Sequence, residues 1–390
     1  MRTIRDLGDL QGKRVLVRVD FNVPLADGRV ADDTRIRAAL PTLEALRKRG
    51  AALVLVSHLG RPTGIDPQLS LAPVGQRLSE LLGVDVELAP PGVGDDVARL
   101  AANLRPGDVL LLENIRFEPG ETKNDPELAR ALANLADVYV DDAFGSVHRA
   151  HASTEGTPRL MADRAAGLLL EREVKTLTEL LESPSRPLLA VLGGAKVSDK
   201  IGVIDSFLRS ADTILIGGAM CFPFLAAEGH PVGDSLCAAE DVELARRAIY
   251  DSHDARASIA LPSDLVLADH FAADADAVAL DGIDVPDGMM GLDIGPRTAS
   301  AYEQIILTAG TVFWNGPMGA FELQPFSAGT RAVAEAVAAA PGVTVVGGGD
   351  SAAALVSFGF EDEVTHLSTG GGAALELIEG HSLPGVEVLR

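Results

Sequence analysis

"ALVLVSHLGRP", Ala52 to Pro62, opens as a run of core residues and closes on His58, Gly60, Arg61 and Pro62. An apolar run without polar alternation reads as a strand covered on both faces. The titratable ring, glycine and cation that follow read either as an ordinary turn or as the rim of a site. The rest of the chain decides between them.

The pattern recurs along the whole sequence. In the first half the candidate strands are "RVLVRVDF", "ALVLVSHL", "VDVEL", "DVLLLENIRF" and "VYVDDAF". In the second half they are "PLLAVLGG", "TILIGGAM", "SIALPSDLVL", "TVFWNGPMG", "VTVVGGGD" and "VTHLSTGGG". All are read as central strands, and helical patterns alternate with them, which is the signature of parallel βαβ units. A chain of 390 residues exceeds one ordinary core. The expected fold class is therefore α/β, with two doubly wound, parallel-sheet, Rossmann-like domains.

Between the halves, Leu170, Val174, Leu177 and Leu181 fall at helical spacing and Pro184 and Pro187 end the pattern. The join is thus read as a helix about whose ends rigid domains move. The expected domains are 1–168 and 169–371. The strands end in polar or glycine-rich residues: "RVDFNVP", "SHLGRP", "ENIRF", "DDAFGSVHRAH", "LGGAKVSDK", "WNGPMG", "GGGDS" and "STGGGA". Ligands of open α/β sheets bind at the carboxyl ends of strands. Such ends in both halves are expected to face one cleft.

Composition narrows the function. With 33 Lys+Arg against 56 Asp+Glu, the net charge of −23 argues against a nucleic-acid partner. Residues 1–168 hold 21 basic and 24 acidic side chains, and residues 169–390 hold 12 and 32. The first half keeps its arginines while the second discards positive charge, as either a solvated surface or a small-anion site would require. No stretch is apolar enough to span a bilayer. The charged start "MRTIRDLGDL" does not resemble a signal peptide, so a cytoplasmic location is expected. Cys221 and Cys237 are read as reduced thiols.

The first-half strand ends and loops supply Asp20, Asn22, Arg35, His58, Arg61, Arg116, His148, Arg149 and His151. Guanidinium forks bind phosphate and carboxylate bidentately, so this set suits a small phosphorylated or carboxylated ligand. His148 and His151 lie three apart, but no third ligand has recognisable spacing and Arg149 would repel a cation. In the second half, "GGAKVSDK" places Lys196 and Lys200 four apart, as on one face of a helix beginning there; solvated lysines after an ordinary turn read equally well. It is not a Walker A sequence. "GGGDS", 347–351, sits between a strand and a helix, where backbone N–H groups accept phosphate and Asp350 could hold Mg2+. "STGGGA" repeats that arrangement. Glu322 is an acid able to accept from a ribose hydroxyl, or a solvated loop residue.

Taken in order, "RVDFNVP", "SHLGRP", "ENIRF", "HRAH", "GGAKVSDKI", "MGLDIGP", "WNGPMGAFE", "GGGDS" and "STGGGA" resemble the phosphoglycerate kinase family over about residues 15 to 380. The resemblance implies phosphoryl transfer between 1,3-bisphosphoglycerate and ADP, with Mg2+, by a monomer acting on small molecules. It implies that Asp20, Phe21, Asn22, Arg35, His58, Leu59, Gly60, Arg61, Arg116 and Arg149 bind phosphoglycerate. Lys200, Gly291, Asn315, Glu322, Gly348, Gly349, Asp350 and Ser351 would bind nucleotide, with Asp350 at the metal. It also implies that the segment from about 372 to 390 returns to the first domain. The chain departs from the family pattern at Ser351, where Thr is usual, and at Ala219 and Pro223, where Gly and Thr are more frequent.

The acceptor oxygens in this reaction are already anionic, so no general base is required and the histidines are expected to orient rather than to carry protons. Positioning and preorganised positive charge are then expected to supply the catalysis, through Arg35, Lys196 and the backbone at Gly371 and Gly372. The rival of a different class is a non-catalytic two-domain receptor for a phosphorylated metabolite, which has no use for Lys196, Lys200 and Asp350. A nicotinamide dehydrogenase is disfavoured because no GxGxxG follows the first strand.

Overall fold

The computed structural model describes residues 1–390. The chain divides into two compact units, residues 1–175 with 381–390, and residues 176–380. The helix Leu168–Glu182 contains the division between Lys175 and Thr176. No helix is long and apolar enough to cross a membrane.

The first unit is built on a six-stranded parallel sheet. Its spatial order is Val86–Leu88, Val109–Leu111, Ala52–Val56, Arg14–Arg18, Val138–Asp141 and Arg164–Ala166. Ala52–Val56, the run quoted first, is buried at every position and pairs residue for residue with Arg14–Arg18. The core gathers Val15, Val17, Leu53, Leu55, Val138 and Val140 from the strands with Ile36, Leu43, Leu46 and Leu78 from covering helices. The strand order reverses between Arg14–Arg18 and Val138–Asp141, so the ends of those two strands form this sheet's switch point. A small hairpin, Leu25–Ala26 with Arg29–Val30, turns on Asp27 and Gly28, both at positive φ, as two-residue hairpin loops prefer.

The chain returns to this unit at residue 381. Leu383, Val386, Val388 and Leu389 are buried. Gly385 N–H donates to the Val147 carbonyl at 2.9 Å, and Arg2 N–H donates to the Leu389 carbonyl at 3.1 Å.

The second unit carries another six-stranded parallel sheet, ordered Ser258–Ala260, Thr213–Ile216, Leu188–Leu192, Thr311–Asn315, Val343–Val346 and His366–Leu367. By chain order within the sheet this is 3-2-1-4-5-6, the doubly wound dinucleotide-fold order, with its switch point between Leu188–Leu192 and Thr311–Asn315. Trp314 is fully buried and its Nε1 donates to the Gly316 carbonyl at 2.8 Å.

Several sequence expectations need correction. Val86–Leu88, Ser258–Ala260 and His366–Leu367 are edge strands, the first two with exposed positions, and not central ones. "SIALPSDLVL" holds two strands in different sheets: Pro262 follows the edge strand, and Leu265–Ala268 becomes the middle of an antiparallel sheet with Val278–Leu280 and Met290–Ile294. Lys196 and Lys200 do not share a helical face. The helix starts only at Ile201, and Lys200 occupies its N-cap position.

Candidate active site

In the first unit the candidate residues lie where strands end. Asp20 and Asn22 follow Arg14–Arg18, and Arg35 enters from the first turn of the helix Thr34–Lys48. One guanidinium nitrogen of Arg35 donates to Asp20 Oδ2 at 3.2 Å and to the Asn22 carbonyl at 3.2 Å. Asn22 Oδ1 accepts from Gly60 N–H at 2.9 Å, and Arg116 donates to the Gly60 carbonyl. The structure therefore links Asp20, Asn22, Arg35, Gly60 and Arg116 into one polar rim. Gly60 can turn there because it sits at φ 63°, a conformation that favours glycine.

Arg61, Arg116 and Arg149 line a pocket of about 330 Å³, with Thr63, Gly64 and Thr122 beside them. Arg116 is held below the usual arginine range by burial and by the neighbouring charges of Arg18, Arg149 and Arg61. A cavity that crowds cations in this way stabilises an anion entering it.

His58 is buried, and Arg18 approaches its Nδ1 at 3.2 Å. A guanidinium has no acceptor, so Nδ1 must accept and the ring proton sits on Nε2. Burial, then Arg18, Arg116 and Arg35, push its pKa well below the usual value. His151 is lowered to about 4 by burial and by Arg18, Arg116 and Arg149. Both shifts favour the neutral ring at neutral pH, a form with one hydrogen-bond donor and one acceptor.

The side chains of Phe21 and Leu59 are buried within the first unit. Both are core residues; Phe21 N–H donates to Ser57 Oγ at 2.9 Å, and Leu59 N–H donates to Asn114 Oδ1 at 3.1 Å. Sequence reasoning missed Arg18, which is 1% exposed, together with Glu121, Tyr139, Asp141 and Ser153 around it. Arg18 lies within the first strand and pairs in register with Asp141 at the switch point. The only hint in the sequence was a charged residue interrupting "RVLVRV".

In the second unit three loops meet at the switch point. Gly193 N–H donates to the Asn315 carbonyl at 3.0 Å, Gly194 N–H to the Pro317 carbonyl at 3.0 Å, and Gly218 N–H to the Met318 carbonyl at 2.9 Å. A Cβ on Gly193 would lie 2.0 Å from the Pro317 oxygen, so the backbones approach too closely for any side chain. Lys200 Nζ donates to the Asn315 carbonyl at 2.8 Å and to Asn315 Oδ1. Its pKa falls to about 8 through burial, opposed by Asp350 and Asp199.

Asn315 Nδ2 donates to the Gly347 carbonyl at 2.7 Å, so its carboxamide is committed to the fold as well as to Lys200. Ser351 is likewise buried, and its hydroxyl accepts from Gly316 N–H at 2.6 Å. Gly348 sits at φ 94° just before the helix Gly349–Phe358, and Asp350 is exposed in that helix's first turn. Lys196 is exposed on the loop before Lys200. Gly371, at φ 51°, precedes a helix of 7 residues, Gly372–Ile378.

Beside these loops lies a pocket of about 410 Å³. Gly194, Ala219, Gly291, Pro317, Glu322 and Asp350 line it, with Leu236 and Phe271 as exposed apolar walls. An apolar slot ending in glycine loops and a helix N-terminus suits a flat base with phosphates. Gly291 is required for packing too, since a Cβ there would lie 2.1 Å from the Phe222 ring. Pro223 stands in the first turn of Cys221–Ala227, where a missing N–H breaks no intrahelical bond.

The comparisons with known proteins agree over the full length. The family model described as phosphoglycerate kinase matches residues 4–381. A relative named phosphoglycerate kinase from Roseiflexus sp. (strain RS-1) is 52% identical over 392 residues, covering 100% of this chain and 99% of its own. One of the same name from Moorella thermoacetica is 54% identical over 388 residues, covering 99% and 98%. Among solved structures, phosphoglycerate kinase from Coxiella burnetii superposes with a TM-score of 0.90 at 40% identity, covering 99% of this chain and 98% of that one. The Pyrococcus horikoshii OT3 structure superposes at 0.86 and 32% identity, covering 100% and 98%.

Proposed function

We propose, from the premise that this chain belongs to the phosphoglycerate kinase family, that its two half-sites divide the substrates of that reaction between them. The enzyme is a phosphotransferase of glycolysis, moving a phosphoryl group between 1,3-bisphosphoglycerate and ADP. The arginine pocket of the first unit takes the phosphoglycerate phosphate, and Asp20, Asn22 and Arg35 take its hydroxyl and carboxyl end. The apolar pocket of the second unit takes the nucleotide base and Glu322 its ribose. Lys196, Lys200 and the backbone at 348–351 take the phosphates. The observation that carries this assignment is chemical contrast: one pocket gathers arginines, and the other is mainly apolar and ends in glycine loops, with Lys200 packed next to the lining Gly194.

Neutral His58 and His151 match a reaction that moves no proton at the acceptor oxygen. His58 Nε2–H and the arginines orient the substrate. Arg35 and Lys196 offset charge as it spreads over the moving phosphoryl group. The backbone at Gly371 and Gly372 adds N–H donors. Phosphoryl transfer in line requires both substrates together and water excluded, so domain closure about the ends of the helix Leu168–Glu182 belongs to the proposal.

Mg2+ belongs to it as well. Asp350 fits the ion, being an exposed carboxylate at a helix start beside the pocket, and Mg2+ is commonly held by one or two carboxylates plus substrate phosphates. When bound, the ion neutralises phosphate charge. We further propose a monomeric, cytoplasmic enzyme. The test is ATP formation from ADP and 1,3-bisphosphoglycerate in a coupled assay with and without Mg2+. Formation only with the metal is expected; a chain that binds phosphoglycerate and makes no ATP would be a receptor instead.

A further inference from the structure

Behind the arginine pocket lies a buried polar chain that the mechanism above leaves unused. Glu121 is fully buried; its Oε2 accepts from Ser153 N–H at 2.9 Å and its Oε1 from Ser153 Oγ at 2.6 Å. Ser153 Oγ accepts in turn from Arg18 Nε at 2.9 Å. The direction of these bonds is forced, because an ionised carboxylate has no proton to give and a guanidinium has no lone pair. One hydroxyl therefore joins a buried anion to a buried cation.

Ser153 rides on a π-helical turn, Ala152–Gly156, directly after His151. Turns of this type re-aim side chains and recur at functional sites. Tyr139 Oη donates to the Ser153 carbonyl at 2.8 Å, which ties the turn to the sheet. At the far end Arg18 meets His58 Nδ1 at 3.2 Å. Charge matters as well as geometry: Glu121 acts on Arg116 against the crowding by Arg18, Arg149 and Arg61.

We infer that Ser153 and Glu121 are positioning residues for the phosphoglycerate half-site. Ser153 ties Arg18, and through it His58, to one orientation. Glu121 trims the positive charge that the pocket presents, so that a phosphorylated carboxylate is released as well as held. This rests on reading the Arg61–Arg116–Arg149 pocket as the phosphoglycerate site.

The two roles separate in opposite directions. Ser153→Ala keeps both charges and cuts the link, and it weakens 3-phosphoglycerate binding about tenfold, the scale of a hydrogen bond to a charged group. Ser153→Thr keeps the hydroxyl and restores binding. Glu121→Gln can still accept from Ser153 N–H while donating to Ser153 Oγ, with one negative charge fewer. It tightens 3-phosphoglycerate about tenfold at low salt, an advantage that added salt removes. Calorimetric titration of each variant with 3-phosphoglycerate reads these shifts, and KM for ATP stays within about twofold of the parent enzyme. The inference is overturned if Ser153→Ala and Glu121→Gln move Kd in the same direction, or if neither moves it. Should Ser153→Ala not fold, Glu121→Gln decides alone, because structural damage loosens a ligand and does not tighten it. Arg149→Ala checks the pocket itself. If it leaves Kd unchanged, the pocket reading fails; if it loosens Kd while the other two do nothing, only this inference fails.

Discussion

Arg35 is held at 3.2 Å by both Asp20 and the Asn22 carbonyl, so its charge is placed before any ligand arrives. Preorganised charge acts chiefly on the transition state. Arg35→Ala is therefore expected to lower kcat roughly a hundredfold while raising the 3-phosphoglycerate Kd far less. Equal losses in both, read by steady-state kinetics beside calorimetry, would make Arg35 a substrate anchor only. Lys200 gives a second prediction. Burial lowers its pKa from 10.5 to about 8, so it loses its charge as pH rises through about 8 in the free enzyme. Because kcat/KM reports free-enzyme ionisation, kcat/KM for ADP should fall above that pH by up to about tenfold per pH unit. A pH–rate profile flat to pH 10 would remove Lys200 from the phosphate site. The same shift has a stability side. Between about 8 and 10.5 the unfolded chain binds more protons at this site, so the strain of burying the charged lysine is relieved as pH rises.

At the scale of elements, Asp142 holds the start of the helix Leu168–Glu182. Its Oδ1 accepts from Leu169 N–H at 2.9 Å and Leu170 N–H at 3.2 Å. Burial raises its pKa from 3.8 to about 7. A raised folded-state pKa contributes stability that is whole below 3.8 and lost as pH rises through about 7. Thermal unfolding of the parent chain should show that decline, and Asp142→Asn, which cannot ionise, should flatten it. An unchanged slope would mean that other groups set it. Legibility also differs by element. Ala52–Val56 was readable because every position is buried, so its apolar run carried the whole signal. The antiparallel sheet was not, because Val278–Leu280 is short and largely exposed and Met290–Ile294 alternates. The Asp20–Asn22–Arg35 rim and the glycine loops were legible, since strand ends announce themselves locally. Arg18, Glu121 and Ser153 were not, since a buried charge depends on partners 135 and 32 positions away in sequence. Phe21 and Leu59 stand inside the polar motifs, and local sequence does not reveal that their side chains turn into the core.

On the scale of the whole molecule, the first unit is discontinuous and the second is not. Removing residues 381–390 exposes the seats of Leu383, Val386, Val388 and Leu389, worth about 2 kcal/mol for each buried side chain. The truncated chain is expected to lose phosphoglycerate binding and to become protease-sensitive within residues 1–175, while ADP binding persists. Loss of ADP binding as well would mean that the units do not fold separately. Net charge sets a second global property. At −23, self-repulsion should make the unfolding midpoint rise with added salt over the range from about 0.01 M to about 0.5 M, where the Debye length shrinks severalfold.

The return of the chain at residue 381 also bears on its biosynthesis. During translation the ribosome must complete residues 176–380 before the hydrogen bonds from Gly385 and to Leu389 can form. The nascent first unit therefore waits with an open apolar seat while a whole second unit emerges, and that interval is when a holdase chaperone would find it.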